Sequence, residues 1–389
     1  MTEFSIESHV LNEEARREAF PVCRSKIFLA HAGVTVLPKA VADAVIDYTR
    51  RSSENHQEFG EVLRDIQHTR RVAAQTIGAG PEEIALLGPT SLGLSLFANG
   101  LPWNEGDELL CYADDYPANV YPWMDLGRRG VTVRYLKADR TGEITPELVE
   151  QALTPRTRLV ALASCNFLSG YRIDVDAIGR LLKARNVLFS LDAIQTIGAS
   201  PLSVEHVDFL SADAHKWMLG PMAIGIVYVK KEHFELLRPT LLGAWNVVSP
   251  NFIAQSEIAF PDTAQRYEPG VLNAAGIYGM RAALEMIASA GIGNVHARIL
   301  ALKSQLIQSL EPLGFTTIGP ADGPAASGIT TFSHPSADLA GLFRLLEERG
   351  IVASLRFDRS GTGFLRFSPH FYNTAEEIEV VSGVLRAAL

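Results

Sequence analysis

An α/β layered domain on a mainly parallel sheet, followed by a smaller α+β domain, is the fold class that this 389-residue sequence predicts. Two observations carry it. Between about residues 82 and 230, short apolar β-rich runs alternate with helix-like segments, and several runs are apolar at successive positions, as strands covered on both faces are. Beyond residue 273 the order changes to a long apolar helix, then helices interleaved with strand-like pairs.

In chain order, GPTSLGLSLFANGL (88–101) predicts a helix beginning at Thr90 and Ser91. DELLCY (107–112), VTVRYL (131–136), RLVALAS (158–164), NVLFSLD (186–192), VDFLSA (207–212) and IGIVYVK (224–230) read as strands. Between them, ITPELVEQAL (144–153) and DVDAIGRLLKAR (174–185) repeat apolar residues at three- and four-residue spacing and read as helices. NAAGIYGMRAALEMIASAG (273–291) predicts a long, largely buried helix ending at Gly291. A helix over 295–314, a strand over 328–334, a helix over 339–350, the strand pair IVASLRF and GFLRFSP, and a last helix over 374–389 complete the pattern. No fixed-period repeat interrupts it.

Length allows two or three packed units, and 47% hydrophobic with 20% charged residues is ordinary for a soluble globular chain. The net charge of −9 argues against a nucleic-acid-binding surface. The N-terminal stretch lacks the pattern of a signal peptide, and no apolar run reaches membrane-spanning length. Three cysteines without metal-ligand spacing suit a reducing compartment. The expectation is a soluble cytoplasmic protein without a metal site, a membrane or a nucleic-acid partner.

Ligands of open α/β sheets collect beyond the carboxyl ends of the strands. Asp192 closes NVLFSLD, Lys216 follows VDFLSA within SADAHKWMLGP (211–221), and Thr90 and Ser91 stand at a helix start. Singly, each has an ordinary explanation as a turn residue, a solvated lysine or a helix cap. Together they fit one chemistry. A helix N-terminus with hydroxyls holds a phosphate, a lysine forms a Schiff base with an aldehyde, and a carboxylate keeps a pyridine nitrogen protonated. That set describes a pyridoxal phosphate site. The glycine-rich dinucleotide and P-loop patterns, the H-E-x-x-H zinc motif and the G-x-S-x-G elbow are absent from the sequence.

From IFLAHAGVTVLP (27–38) to FLRFSPHFYNTAEEIE (364–379), the chain resembles the class V aminotransferase family of fold-type I pyridoxal phosphate enzymes. The resemblance is to its isopenicillin N epimerase-like and cysteine desulfurase-like branches, and LDAIQTIG, DFLSADAHKWMLGP and LRFSPHFYNT are its most specific pieces. It implies a large cofactor-binding domain (26–265) with a mainly parallel seven-stranded sheet. It further implies a small C-terminal domain (266–389) with an N-terminal segment (1–25) packed on it. By the same resemblance Lys216 is the Schiff-base lysine, Asp192 the partner of the pyridine nitrogen and Gln195 a hydrogen-bond partner of the phenolic oxygen. Asn166 is implied as a second polar contact to the ring, Tyr116 in DDYPANVYPW as the ring stacker, and Thr90, Ser91 and His215 as phosphate ligands. Arg366 would clamp the substrate α-carboxylate in a bidentate contact, with His31 and Arg356 also assigned to substrate. The family further implies a homodimer with the site near the subunit interface, for which LLGAWNVVSPNF (241–252) offers an exposed loop.

Two positions depart from the pattern. Asp213 stands where the desulfurase branch usually has a phosphate-contacting serine, and an aspartate there would repel the phosphate unless protonated or turned away. Val271 stands where relatives often place a threonine reaching the partner's phosphate; Trp245 and Asn273 are candidate substitutes. Desulfurases also carry a cysteine in the loop before the carboxylate-binding arginine, and ASLRFDRSGTGFLRF (353–367) has none. Cys165 lies at a strand end, so a persulfide mechanism is disfavoured, whereas Arg356 or Arg359 could recognise a second acidic group. The resulting expectation is an amino-acid-transforming enzyme: an aminotransferase first, a C–S or β-lyase or an epimerase second. An inactive cofactor-binding scaffold is the non-enzyme alternative.

Overall fold

The computed structural model describes residues 4–57 and 59–389. The first three residues of the expected N-terminal segment therefore lie outside the described residues. A two-residue strand, β1 (Ile27–Phe28), enters the molecule. The large sheet is then built from β2 (Ile84–Leu86), β3 (Glu108–Tyr112), β4 (Thr132–Leu136), β5 (Thr157–Ala163), β6 (Leu188–Asp192), β7 (Phe209–Asp213) and β8 (Gly225–Val229). Its order is β2-β8-β7-β6-β5-β3-β4. All neighbours pair in parallel except β8, which runs antiparallel to both β2 and β7.

The apolar runs are continuous because each strand feeds two cores. Leu109 and Cys111 of β3 face one apolar cluster with Leu159, Ala161 and Phe209. Leu110 and Tyr112 face the other, with Val160, Leu162 and Leu210. Side chains alternate across the sheet while both faces are covered, so no position is left polar by default.

The smaller unit carries β9 (Thr316–Thr317), β10 (Thr330–Ser333), β11 (Ile351–Val352), β12 (Ser354–Phe357) and β13 (Gly363–Phe367). β12-β13-β10-β9 form an antiparallel sheet, while β11 pairs in parallel with β1. The N-terminal segment docks through Arg16, which salt-bridges Glu377 at 2.8 Å, and through Phe20, stacked 4.1 Å from Tyr372.

The helix Ala274–Ala290 does not respect the boundary expected at residue 266. Its Ile277, Met280 and Leu284 belong to the large-sheet core, and the Tyr278 ring stacks 4.9 Å from Tyr48. Met286 and Ala290 join a separate cluster around Trp217, Phe20 and Phe371. Two apolar faces on one helix thus tie the units together. None of the described helices is long and apolar enough to cross a membrane.

Candidate active site

Strand order reverses where β3 lies between β4 and β5. Beyond the carboxyl ends of β3, β5, β6 and β7 a cavity of about 360 Å³ opens, closed on its far side by the small antiparallel sheet. Thr90, Ser91, Tyr116, Asp192, Gln195 and Lys216 line it. His215, Arg356 and Arg366 complete the wall. The structure therefore brings nine of the eleven sequence-assigned residues to one cavity; Asn166 and His31 are the exceptions.

Lys216 follows β7 by three residues and is 6% exposed. Burial pushes its pKa down to about 8, against the pull of the nearby Asp192 carboxylate. Its ammonium lies 5.1 Å from the centre of the Tyr116 ring, which is half-exposed and met edge-on by Phe167. Asp192 ends β6, buried, with Oδ1 accepting from the Ile194 N–H at 3.1 Å. Burial raises its pKa to about 6.

The helix Thr90–Gly100 starts after Pro89, which supplies no side-chain cap; the Leu92 N–H donates to the Pro89 carbonyl at 2.8 Å, and the Thr90 and Ser91 N–H groups remain for a ligand. Gly93 lets this helix sit directly on β7: a Cβ there would stand 2.4 Å from Ser211 Oγ. The Thr90 hydroxyl accepts from the Asp213 N–H at 2.8 Å. Asp213 itself is turned inward, with Oδ1 2.5 Å from His215 Nδ1 and accepting from the His215 N–H at 3.2 Å. The unexpected aspartate thus orients the histidine rather than facing the cavity.

Asn166 does not line the cavity. Its Oδ1 accepts from the Leu168 and Ser169 N–H groups and its Nδ2 donates to the Asp114 carbonyl, so the amide shapes the turn after β5. His31 is also set aside as a substrate ligand. It is fully buried behind the cavity wall, with Nδ1 2.9 Å from the Ser368 carbonyl and Nε2 2.9 Å from the Tyr372 hydroxyl. Burial holds it well below the ordinary histidine pKa. Val271 is 80% exposed, and Asn273 is spent accepting from the Gly276 N–H as a helix cap.

Arg366, on β13, is 1% exposed, and its NH1 donates to the Phe167 carbonyl at 2.6 Å. Its Nε and NH2 are buried with no hydrogen-bond partner among the described residues. Burial and the neighbouring Arg356 push its pKa down, yet a guanidinium keeps its proton in proteins, so the site is set up for an anion. Ser354 pairs with Arg366 across β12 and β13, which places Arg356, two residues on, on the same sheet face. A Cβ at Gly33 would lie 3.6 Å from Arg356 NH2 and 3.9 Å from Arg366 NH2. Arg359, by contrast, is bound to Asp114 and the Ala113 carbonyl, both at 2.6 Å.

Sequence reading passed over Asp115, which is buried at the end of β3. Its Oδ2 accepts from the Ala163 N–H at 3.0 Å, fixing the end of β5 beside Asp192. Burial, with a contribution from the Asp192 charge, raises its pKa to about 7. The only signal in the sequence was its place within DDYPANVYPW. None of the three cysteines lines the cavity. Burial pushes Cys165 up to about 11 and Cys23 and Cys111 up to about 12, so no thiolate is presented. A larger groove of about 830 Å³ runs beside the N-terminal segment. Arg16 and Arg298 there are spent on Glu13, Glu377 and main-chain carbonyls.

The donor set fits pyridoxal phosphate on this geometry: a helix N-terminus with the Thr90 and Ser91 N–H groups open for phosphate, a buried carboxylate at the end of β6, and a buried amine lining the same cavity. Residues 27–381 match the family model Aminotransferase class-V. The chain belongs to the class V aminotransferase family. It is a pyridoxal phosphate-dependent enzyme. Among curated proteins it is 28% identical to a probable cysteine desulfurase of Methanothermobacter thermautotrophicus, over 96% of this chain and 97% of that protein. It is 25% identical to the uncharacterized aminotransferase YcbU of Bacillus subtilis, over 94% of this chain and 95% of that one. The apo cysteine desulfurase of Thermococcus onnurineus NA1 superposes with a TM-score of 0.89 at 24% identity, covering 96% of this chain and 97% of that one. The cystine C–S lyase C-DES superposes with a TM-score of 0.85 at 22% identity, covering 94% of this chain and 99% of that one. These two likenesses show the fold.

Proposed function

We propose that this class V enzyme removes the Cα proton of an α-amino acid that carries a second anionic group, with transamination as the outcome. The observation that carries the substrate class is the pair of guanidinia, Arg366 and Arg356, on one sheet face beside Lys216. When bound, pyridoxal phosphate supplies the electron sink for the charge left at Cα. Lys216, whose pKa burial pushes to about 8, takes the Cα proton as a neutral amine. Asp192 would hold a proton on the pyridine nitrogen, and Tyr116 would cover one face of the ring. Arg366 offers its unpaired Nε and NH2 to the α-carboxylate, which fixes the Cα–H toward Lys216. Arg356 receives the second anion.

A second reading, β-elimination with C–S cleavage, is favoured by the relatives named probable cysteine desulfurase. On that reading the sulfur leaves as sulfide or as a persulfide product, because no cysteine reaches the cavity. A panel of amino acids read together for keto acid, ammonia, sulfide and inverted enantiomer separates the outcomes. Keto acid from a dicarboxylic amino acid supports the first reading; pyruvate and ammonia, with cysteine persulfide from cystine or sulfide from cysteine, replace it with the second. Arg356→Gln is expected to raise KM about tenfold for a diacid and hardly at all for alanine. Equal effects on both would remove Arg356 from substrate recognition.

The working form is a homodimer. Leu241, Leu242, Phe252 and Ile253 are exposed on one surface segment, which supports a self-complementary contact. Sedimentation of a fully active monomer would refute this.

A further inference from the structure

We infer that Trp217 is a positioning residue for the cofactor: its indole N–H locks the Gln195 amide so that an N–H, and not the oxygen, faces the cavity. The inference rests on the assignment of Gln195 to the cofactor's phenolic oxygen. An indole nitrogen only donates, so the Gln195 atom 2.8 Å from Trp217 Nε1 is the amide oxygen. The Gln195 nitrogen then donates to the Ala32 carbonyl, which only accepts, at 3.1 Å. Both bonds specify the same orientation of the amide. With one N–H given to Ala32, the second is the hydrogen left for the cavity that Gln195 lines. An amide freed from Trp217 could turn and present its oxygen, which a phenolate oxygen would repel.

Trp217 is itself firmly placed. It is fully buried, and its carbonyl lies 2.9 Å from His370 Nε2. Its ring centre lies 5.6 Å from that of His370 and 6.3 Å from that of His31. Gly328 leaves the room its ring occupies: a Cβ there would sit 2.6 Å from the indole Cη2. His31, held between Ser368 and Tyr372, belongs to this packing rather than to the substrate. Adjacent residues thus divide the work, Lys216 entering the cavity and Trp217 backing the amide from behind.

A donor on the phenolic oxygen stabilises its anion and weakens its hold on the neighbouring Schiff-base proton. Loss of the donor therefore raises the pH at which the visible band of the bound cofactor titrates. The decisive experiment replaces Trp217 with benzothienylalanine, which keeps the bicyclic shape and puts sulfur in place of the N–H. Trp217→Phe and a Gln195→Ala background accompany it, all in the cofactor-loaded enzyme. Gln195→Ala and the sulfur analogue should each raise the midpoint by about one pH unit, and the two together no further. The analogue should melt close to the wild type, with kcat down about tenfold and KM little changed. An unchanged midpoint in the analogue, where Gln195→Ala shifts it, overturns the inference. So does a shift that adds fully to that of Gln195→Ala, because Trp217 would then act elsewhere. An unchanged midpoint in Gln195→Ala overturns the assignment of Gln195 itself.

Discussion

Lys216→Ala is expected to leave a folded protein whose turnover is lower by at least about four orders of magnitude, since on the proposed assignment both the covalent anchor and the Cα base are gone. The fold should survive because burial opposes the charge of this ammonium, as its pKa of about 8 records. Removing it relieves a desolvation cost and opens a space beside a cavity that already exists. In the native protein, borohydride treatment with the cofactor bound should attach it to Lys216 alone, located by peptide mapping. The same depressed pKa sets a pH dependence. An amine attacks an aldehyde only when neutral, so cofactor uptake by the apo-enzyme should rise through pH about 8 instead of through the ordinary lysine range. Uptake that still climbs with pH well above that value would contradict the buried-amine reading.

Asp192→Asn should cost two to three orders of magnitude in kcat, about the loss expected when a preorganised charge is removed from the reacting system. The substitution keeps an oxygen able to accept from the Ile194 N–H, so the turn after β6 should persist and the cofactor should still bind. On the proposed assignment, what disappears is the charge that would keep a proton on the pyridine nitrogen. Stopped-flow absorbance with saturating substrate separates the cases. Slow Cα proton removal with normal cofactor binding is the expected result; near-normal turnover would assign Asp192 a structural role.

Much of this was legible because the physics was local. β5 and β6 announce themselves as continuous apolar runs, since both sheet faces are covered and every residue is buried or nearly so. Lys216 and Asp192 stood out as polar residues at the ends of such runs. The direction of β8 was not legible, because an antiparallel strand buried on both faces has the same apolar pattern as a parallel one. β2 is only three residues long, too short to show a period. The helix Ala274–Ala290 read as buried, but not as buried by two cores.

Side-chain direction was the other limit. His31 and Asn166 lie within two residues of cavity-lining positions, Ala32 and Phe167, yet point into the scaffold. Arg356 and Arg359 looked interchangeable in one loop. The pairing of Ser354 with Arg366 puts Arg356 on the same sheet face, and Asp114 draws Arg359 away. Asp213 looked repulsive until its carboxylate was found bonded to His215. Each of these turns on register or on a distant partner, neither of which a single sequence displays.

Solvent deuterium incorporation at Cα tests the proposed chemistry most directly, because transamination, β-elimination and epimerisation all begin by breaking that bond. Holoenzyme in D2O, with monocarboxylic amino acids, dicarboxylic amino acids and cystine, is followed by the Cα proton signal. The two-guanidinium site predicts exchange fastest for the amino acids with a second carboxylate, and none in Lys216→Ala. No exchange with any of these amino acids, or exchange that persists without Lys216, would contradict it.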